Sequence, residues 1–149
     1  MKLSKKHLRR VSEMEKLDFE KIKRMDMLER YKATKEWIDT LKLKLETTTY
    51  ENKDLPDLHM FDYQLHSDPM DDQIEISLDN NEFPVVIGLY ESLHETTDMR
   101  DENIEFIKLF IRNEMPWLKI AKVIEWDSGS CGFSIYCELT DGNDSTTGM

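Results

Sequence analysis

The sequence predicts an α+β fold: a long N-terminal helix, then a five-stranded, mostly antiparallel sheet with one covering helix, in the order α-β-β-β-α-β-β. Three observations predict it. Residues 3–46 hold no Pro or Gly and are rich in Lys, Arg, Glu, Leu and Met, all good helix formers. From residue 59 onward the apolar period changes to two, the signature of half-buried strands. One segment, residues 101–115, returns to helical spacing between strands that short loops join, which fits a helix laid on an antiparallel sheet.

The 149-residue length suits one ordinary domain with a modest addition. Charged residues make up 34% of the chain, but three Trp, five Tyr and six Phe argue against a wholly disordered one. No apolar run is long enough for a transmembrane helix, and no apolar h-region follows the basic start as a secretory signal requires.

In the first helix, apolar residues recur at Leu8, Val11, Met14 and Leu17, then at Phe19, Ile22, Met25, Leu28 and Tyr31, and again at Trp37, Ile38, Leu41 and Leu45. Steps of three advance a helix by only about 300°, so the stripe drifts around the cylinder and no heptad coiled coil is expected. One long helix, or two with a break near Lys32 to Lys35, satisfies the pattern. Glu20 with Arg24, and Asp26 with Arg30, are acid-to-base pairs four apart that favour helix. Unbroken, it would reach about 65 Å, more than a domain of this size needs. Part of it is therefore expected to project or to pack on another chain, with Val11, Met14, Ile22, Met25, Leu28 and Tyr31 as its contact face.

The run from Thr47 to Pro56 ends the helix with β-branched residues, Asn and Pro. His59, Phe61, Tyr63 and Leu65 then alternate with Met60, Asp62 and Gln64 as a first strand. Ile74, Ile76 and Leu78 mark a second, and Asp79 to Glu82 a hairpin turn. Val85, Ile87 and Leu89 mark a third strand, with Pro84 at its start, where a missing donor is tolerated. Residues 91–100 read as a polar connection. Ile104, Ile107, Phe110 and Ile111 form the buried face of the 101–115 helix, with acids in its first turn and Pro116 at its end. Leu118, Ile120, Ile124 and Trp126 mark a fourth strand, and Phe133, Ile135, Cys137 and Leu139 a fifth. The organisation predicted is a basic amphipathic helix or helical pair over 1–48, an acidic α+β domain over 49–140, and a polar tail over 141–149.

The net charge of −11 is divided unevenly. Residues 1–48 hold 14 Lys/Arg against 9 Asp/Glu, and residues 49–149 hold 6 against 22. The second part should repel nucleic acid and attract basic surfaces. Asp68, Asp71, Asp72, Glu75, Asp79 and Glu82, with Glu91, Glu95, Asp98, Asp101, Glu102 and Glu105, form the expected acidic partner-binding face, relieved by a single arginine, Arg100. The basic start (Lys2, Lys5, Lys6, Arg9, Arg10) has few interleaved aromatics and reads as a solvated helix end rather than a phosphate or membrane contact.

Catalytic patterns are weak. Cys131 and Cys137 are too few for a disulfide framework. Six residues apart in one straight strand they lie about 20 Å from each other, so reduced, buried thiols in a cytosolic protein are expected. Asp127-Ser128-Gly129 is similar to the nucleophile turn of chymotrypsin-like proteases over three residues only, and a Gly-Ser hairpin loop accounts for it. His59, Asp62, His66 and Asp68 are metal-ligand types, with His94 a possible addition. A strand over 58–65, however, turns His59 and Asp62 to opposite faces and leaves His66 beyond its end. The acids Asp68, Asp71 and Asp72 lack the glycine and alternation of a calcium loop. No glycine-rich phosphate loop or dinucleotide motif is present, and no cofactor or metal is expected.

The composition looks broadly like that of accessory proteins of phages and mobile elements, without a motif that assigns a family. Three functions are carried forward. The first is a cytoplasmic, non-enzymatic interaction protein whose acidic domain binds a basic, nucleic-acid-handling protein, as an inhibitor would, without touching nucleic acid or membrane itself. The second is an assembly subunit, of the virion type, oligomerising through the N-terminal helix. The third is a small metal-dependent hydrolase using His59, His66 and nearby acids.

Overall fold

The computed structural model describes residues 14–51, 62–67, 73–78, 82–92, 94–127 and 131–140. The fold is mixed α+β, with helices on one face of a four-stranded antiparallel sheet.

Two helices open it, α1 (Phe19–Lys23) and α2 (Met27–Thr47). The break falls at Arg24 to Asp26 rather than near Lys32 to Lys35, which lie inside α2. Its cause is a capping box. The Asp26 carboxylate accepts from the Glu29 N–H at 2.8 Å, and the Glu29 carboxylate accepts from the Asp26 N–H at 3.2 Å. The Arg30 guanidinium reaches back to donate to the carbonyls of Ile22 (3.4 Å) and Met25 (3.3 Å), tying the first turns of α2 to the end of α1 and the break. Among the described residues, a single unbroken N-terminal helix is therefore absent. Helix α2 buries Thr34, Trp37, Leu41 and Leu45 and ends where three β-branched threonines favour extended backbone.

That extended backbone is itself a strand. Segment β1 (Thr49–Glu51) pairs antiparallel with β2 (Asp62–Gln64), forming a small ribbon apart from the main sheet. The sequence reading placed the 58–65 segment in a five-stranded sheet; its described portion pairs instead with the residues that follow α2. The ribbon is tied to the long helix of the second half, α4 (Arg100–Glu114). The Tyr50 hydroxyl donates to Glu114 Oε2 at 3.2 Å, and the Tyr50 ring lies 5.7 Å from that of Phe106.

The main sheet contains β3 (Gln73–Ser77), β4 (Val85–Glu91), β5 (Leu118–Trp126) and β6 (Cys131–Leu139), in the order β3-β4-β6-β5. A short helix, α3 (His94–Asp98), precedes α4 in the segment read as a polar connection. Alternation puts Val85, Ile87, Leu89, Phe133, Ile135 and Cys137 on the inner face, all fully buried. Against them α4 lays Ile104, Phe106, Ile107, Phe110 and Ile111, and α2 adds Trp37, Leu41 and Leu45 to the same core. The N-terminal helices and the sheet thus share one hydrophobic cluster, which also takes in Met14 and Phe19.

The other face of the sheet is set by one irregularity. Ile120 pairs with Cys137 and Lys122 with Tyr136, so Ala121 is an extra residue, a β-bulge in β5. An uninterrupted alternation would place Leu118, Ile120, Ile124 and Trp126 together. The bulge exchanges the faces: Val123 turns inward, while Lys122, Ile124 and Trp126 turn outward.

Candidate binding surface

Four of the acids expected on one face, Asp68, Asp71, Asp72 and Asp79, lie outside the described residues, as do the basic N-terminal residues and Val11. Glu75 is exposed on the outer face of edge strand β3, and Glu82 is exposed ahead of β4. Asp98 closes α3 and is exposed. Asp101 and Glu105 are exposed on α4, with Glu102 half-buried between them, and Glu105 accepts from Lys108 at 3.4 Å. Glu95 stands in α3, its side chain outside the described set.

Glu91 departs from the expectation. It continues the inward series Val85, Ile87, Leu89, and its side chain is fully buried. Arg100 meets it there, with Nη2 at 2.7 Å and Nε at 3.0 Å from Oε1. The guanidinium also bridges to Glu125 (3.2 Å) and Asp127 (2.9 Å), which are half or more exposed. The Glu91 hydrogen bond is the largest cause raising the Arg100 pKa above its usual value; burial opposes it, and the bonds to Asp127 and Glu125 add to it. One cation therefore gathers three carboxylates at one end of the sheet, from the strands on either side of β6, two of them missed by sequence reasoning. No local pattern announces them: Glu125 and Asp127 flank an apolar Trp in a strand that reads as core.

The helical contact face divides. Met14 and Ile22 are buried within the chain. Met14 donates its N–H to the Glu114 carbonyl at 2.9 Å and accepts from Trp117 Nε1 at 3.3 Å. Met25 is half-buried. Leu28 and Tyr31 are exposed, at 60% and 59%, beside Met27 at 85%.

His66 is positioned by its backbone. Its N–H donates to Asn103 Oδ1 at 2.7 Å and its carbonyl accepts from Asn103 Nδ2 at 2.8 Å, so the fully buried Asn103 pins this segment to α4. The His59 position lies outside the described residues, and among those described no three His, Cys, Asp or Glu side chains are grouped to hold a metal ion.

The outer sheet face holds what the bulge put there. Tyr90 and Trp126, separated by the intervening strand β6, stack with ring centroids 6.4 Å apart and planes 25° apart. The residue between them in register is Gly132, and a Cβ on it would meet the indole at 2.5 Å. Trp126 Nε1 donates to Ser134 Oγ at 3.2 Å, which holds the ring down over the strand. Farther along, Phe83 and Tyr136 meet edge-on at 5.1 Å, and Lys122 Nζ stands 4.9 Å and 5.0 Å from their ring centres. Gly88 and Ser134 form the low floor between the two aromatic pairs.

No family model matches the chain, and neither does any curated protein or solved structure with which it was compared. Among the described residues no helix is long and apolar enough to cross a membrane.

Proposed function

We propose that this chain is a non-enzymatic interaction protein whose acidic α+β domain binds a basic partner protein. The observation that carries the reading is the position of Arg100. The only arginine between residues 68 and 105 is turned inward onto Glu91, Glu125 and Asp127, and leaves Glu75, Asp101 and Glu105 at the surface. Three carboxylates on one guanidinium also leave that corner with net negative charge. A surface of this sign opposes a phosphate backbone and favours a protein whose own task is to hold one. A nucleic-acid-binding protein of the cytoplasm, occupied in its basic groove, is the partner class this reading selects.

The test is capture from a host lysate by the full chain and by a variant carrying Asp101→Lys and Glu105→Lys, at low and high salt. A basic protein held at low salt, released at high salt and lost by the variant is the expected result. Retention indifferent to both salt and charge reversal would overturn the reading.

A second reading, an assembly subunit associating through α2, is favoured by the exposed Met27, Leu28 and Tyr31 at the start of that helix. It requires a multimer in sedimentation that Leu28→Lys with Tyr31→Lys dissociates. A monomer at high concentration sinks it.

A further inference from the structure

We infer that the outer sheet face at Tyr90 and Trp126 receives an arginine side chain of the basic partner, its guanidinium lying on the indole and phenol rings. This rests on the binding reading above and gives that partner a specific point of attachment.

The sheet carries its own precedent. At one end of the open face an aromatic pair, Phe83 and Tyr136, has a cation over it, the Lys122 ammonium within about 5 Å of both rings. At the other end the Tyr90–Trp126 pair is built from the same parts and, among the described residues, has no lysine or arginine of the chain over it. Both rings are half-buried, so each still offers surface to solvent.

The surroundings supply the charge that Lys122 supplies at the other end in opposite sense. Glu125 and Asp127, on either side of Trp126 in sequence, turn to Arg100 on the inner side, and with Glu91 they leave this corner net negative. Glu75 is paired with Gly88, which places it diagonally across from Tyr90, a separation of about 7–8 Å between such positions. Among the described residues the cation at this corner is Arg100, committed beneath the sheet to Glu91, Glu125 and Asp127. A polyanion is repelled from this corner and a cation is drawn to it.

The ligand is a guanidinium rather than an ammonium by shape and hydration. It is planar, loses little on desolvation, and can lie flat on a stacked ring while its edge N–H groups face carboxylates. Gly132 matters to the platform itself: the indole fills the space that a Cβ there would need, so Trp126 lies down over β6 beside Tyr90.

The experiment is a titration of the uniformly 15N-labelled full chain with acetyl-(Gly-Arg)4-amide, followed by amide and indole resonances, with the lysine counterpart and octathymidylate as comparisons. Saturable shifts of the Trp126 indole N–H and of the Gly132 and Gly88 amides are expected, weaker with the lysine peptide. Trp126→Leu should lower the affinity about fivefold or more. Glu75→Gln, a surface change that leaves the fold intact, should lower it about twofold. Tyr90→Phe, which keeps the ring, should leave it unchanged, and this control holds even if Trp126→Leu disturbs the sheet. Shifts confined to Asp101 through Glu105, with the Trp126 indole unmoved, overturn the inference and leave acidic-face binding standing. No shift anywhere at low salt overturns both. Octathymidylate moving the Trp126 indole more than the arginine peptide does overturns the inference in favour of base stacking.

Discussion

Arg100 Nη2 stands 2.7 Å from Glu91 Oε1, a buried ion pair that joins the first turn of α4 to the last residue of β4. Its guanidinium is 11% exposed and the carboxylate not at all, so the pair is little screened by salt. Such a pair contributes little against a well-packed apolar substitute, yet breaking it leaves an uncompensated charge inside. Arg100→Met should therefore destabilise the fold by about 3–5 kcal/mol. The double change with Glu91→Leu should recover much of that loss. Chemical denaturation of the wild type, both singles and the double checks it; additive single effects would contradict a coupled pair.

A second consequence concerns Gly132. A Cβ there would fall 2.3 Å from the Leu89 carbonyl oxygen and 2.5 Å from the Trp126 ring, whereas at Gly88 the nearest clash is 2.9 Å from the Phe133 carbonyl. Backbone cannot step aside as a side-chain tip can. Gly132→Ala should cost about 2–3 kcal/mol and Gly88→Ala less. Thermal melts should rank them in that order, with loss of Trp126 stacking in the near-ultraviolet dichroism of the first alone.

The capping box makes the third prediction. Asp26→Ala removes the acceptor for the Glu29 N–H and leaves the reciprocal bond without its frame. A loss of about 1 kcal/mol is expected, and Asp26→Ser should restore most of it. Hydrogen exchange should show the loss concentrated in residues 27–31. Uniform acceleration throughout α2 would point to a different origin.

The elements legible in the sequence were those with one face buried along their whole length. In β3, β4, β6 and α4 the residues of the apolar period are the ones turned to the core, as with Ile104, Ile107, Phe110 and Ile111. The break between α1 and α2 was written in the sequence as Asp26 and Glu29 three apart, but the apolar stripe running past it masked the signal. Strand β1 was hidden because three threonines read equally as the end of a helix. The bulge at Ala121 left no mark at all: one extra residue reverses every side chain after it, and so Trp126 read as core rather than as surface. Of the candidate surface, Asp101 and Glu105 could be read from charge alone. The role of Glu91 could not, since its partner is fixed by the packing of α4 on the sheet rather than by sequence spacing.

The two thiols supply the last prediction. Cys137 is fully buried on the inner face of β6, and burial alone pushes its pKa from 9.0 up to about 12; Cys131, at the start of the same strand, is half-exposed, and both are free. A buried thiol held in its neutral form is a poor nucleophile. Native protein treated with iodoacetamide at pH 8 should be alkylated at Cys131, while Cys137 reacts only after unfolding, as peptide mass spectrometry would show. The same burial makes stability depend on alkaline pH. The unfolded chain loses the Cys137 proton above pH 9 and the folded chain keeps it to about pH 12. The native state therefore binds more protons in that window, and stability falls as pH rises through it. The full effect, on the order of 4 kcal/mol, is absent below pH 9. Cys137→Val, close in volume and without a proton to lose, should flatten this part of the curve. A wild-type stability unchanged from pH 8 to pH 11 would show that the thiol is not shielded as the fold requires.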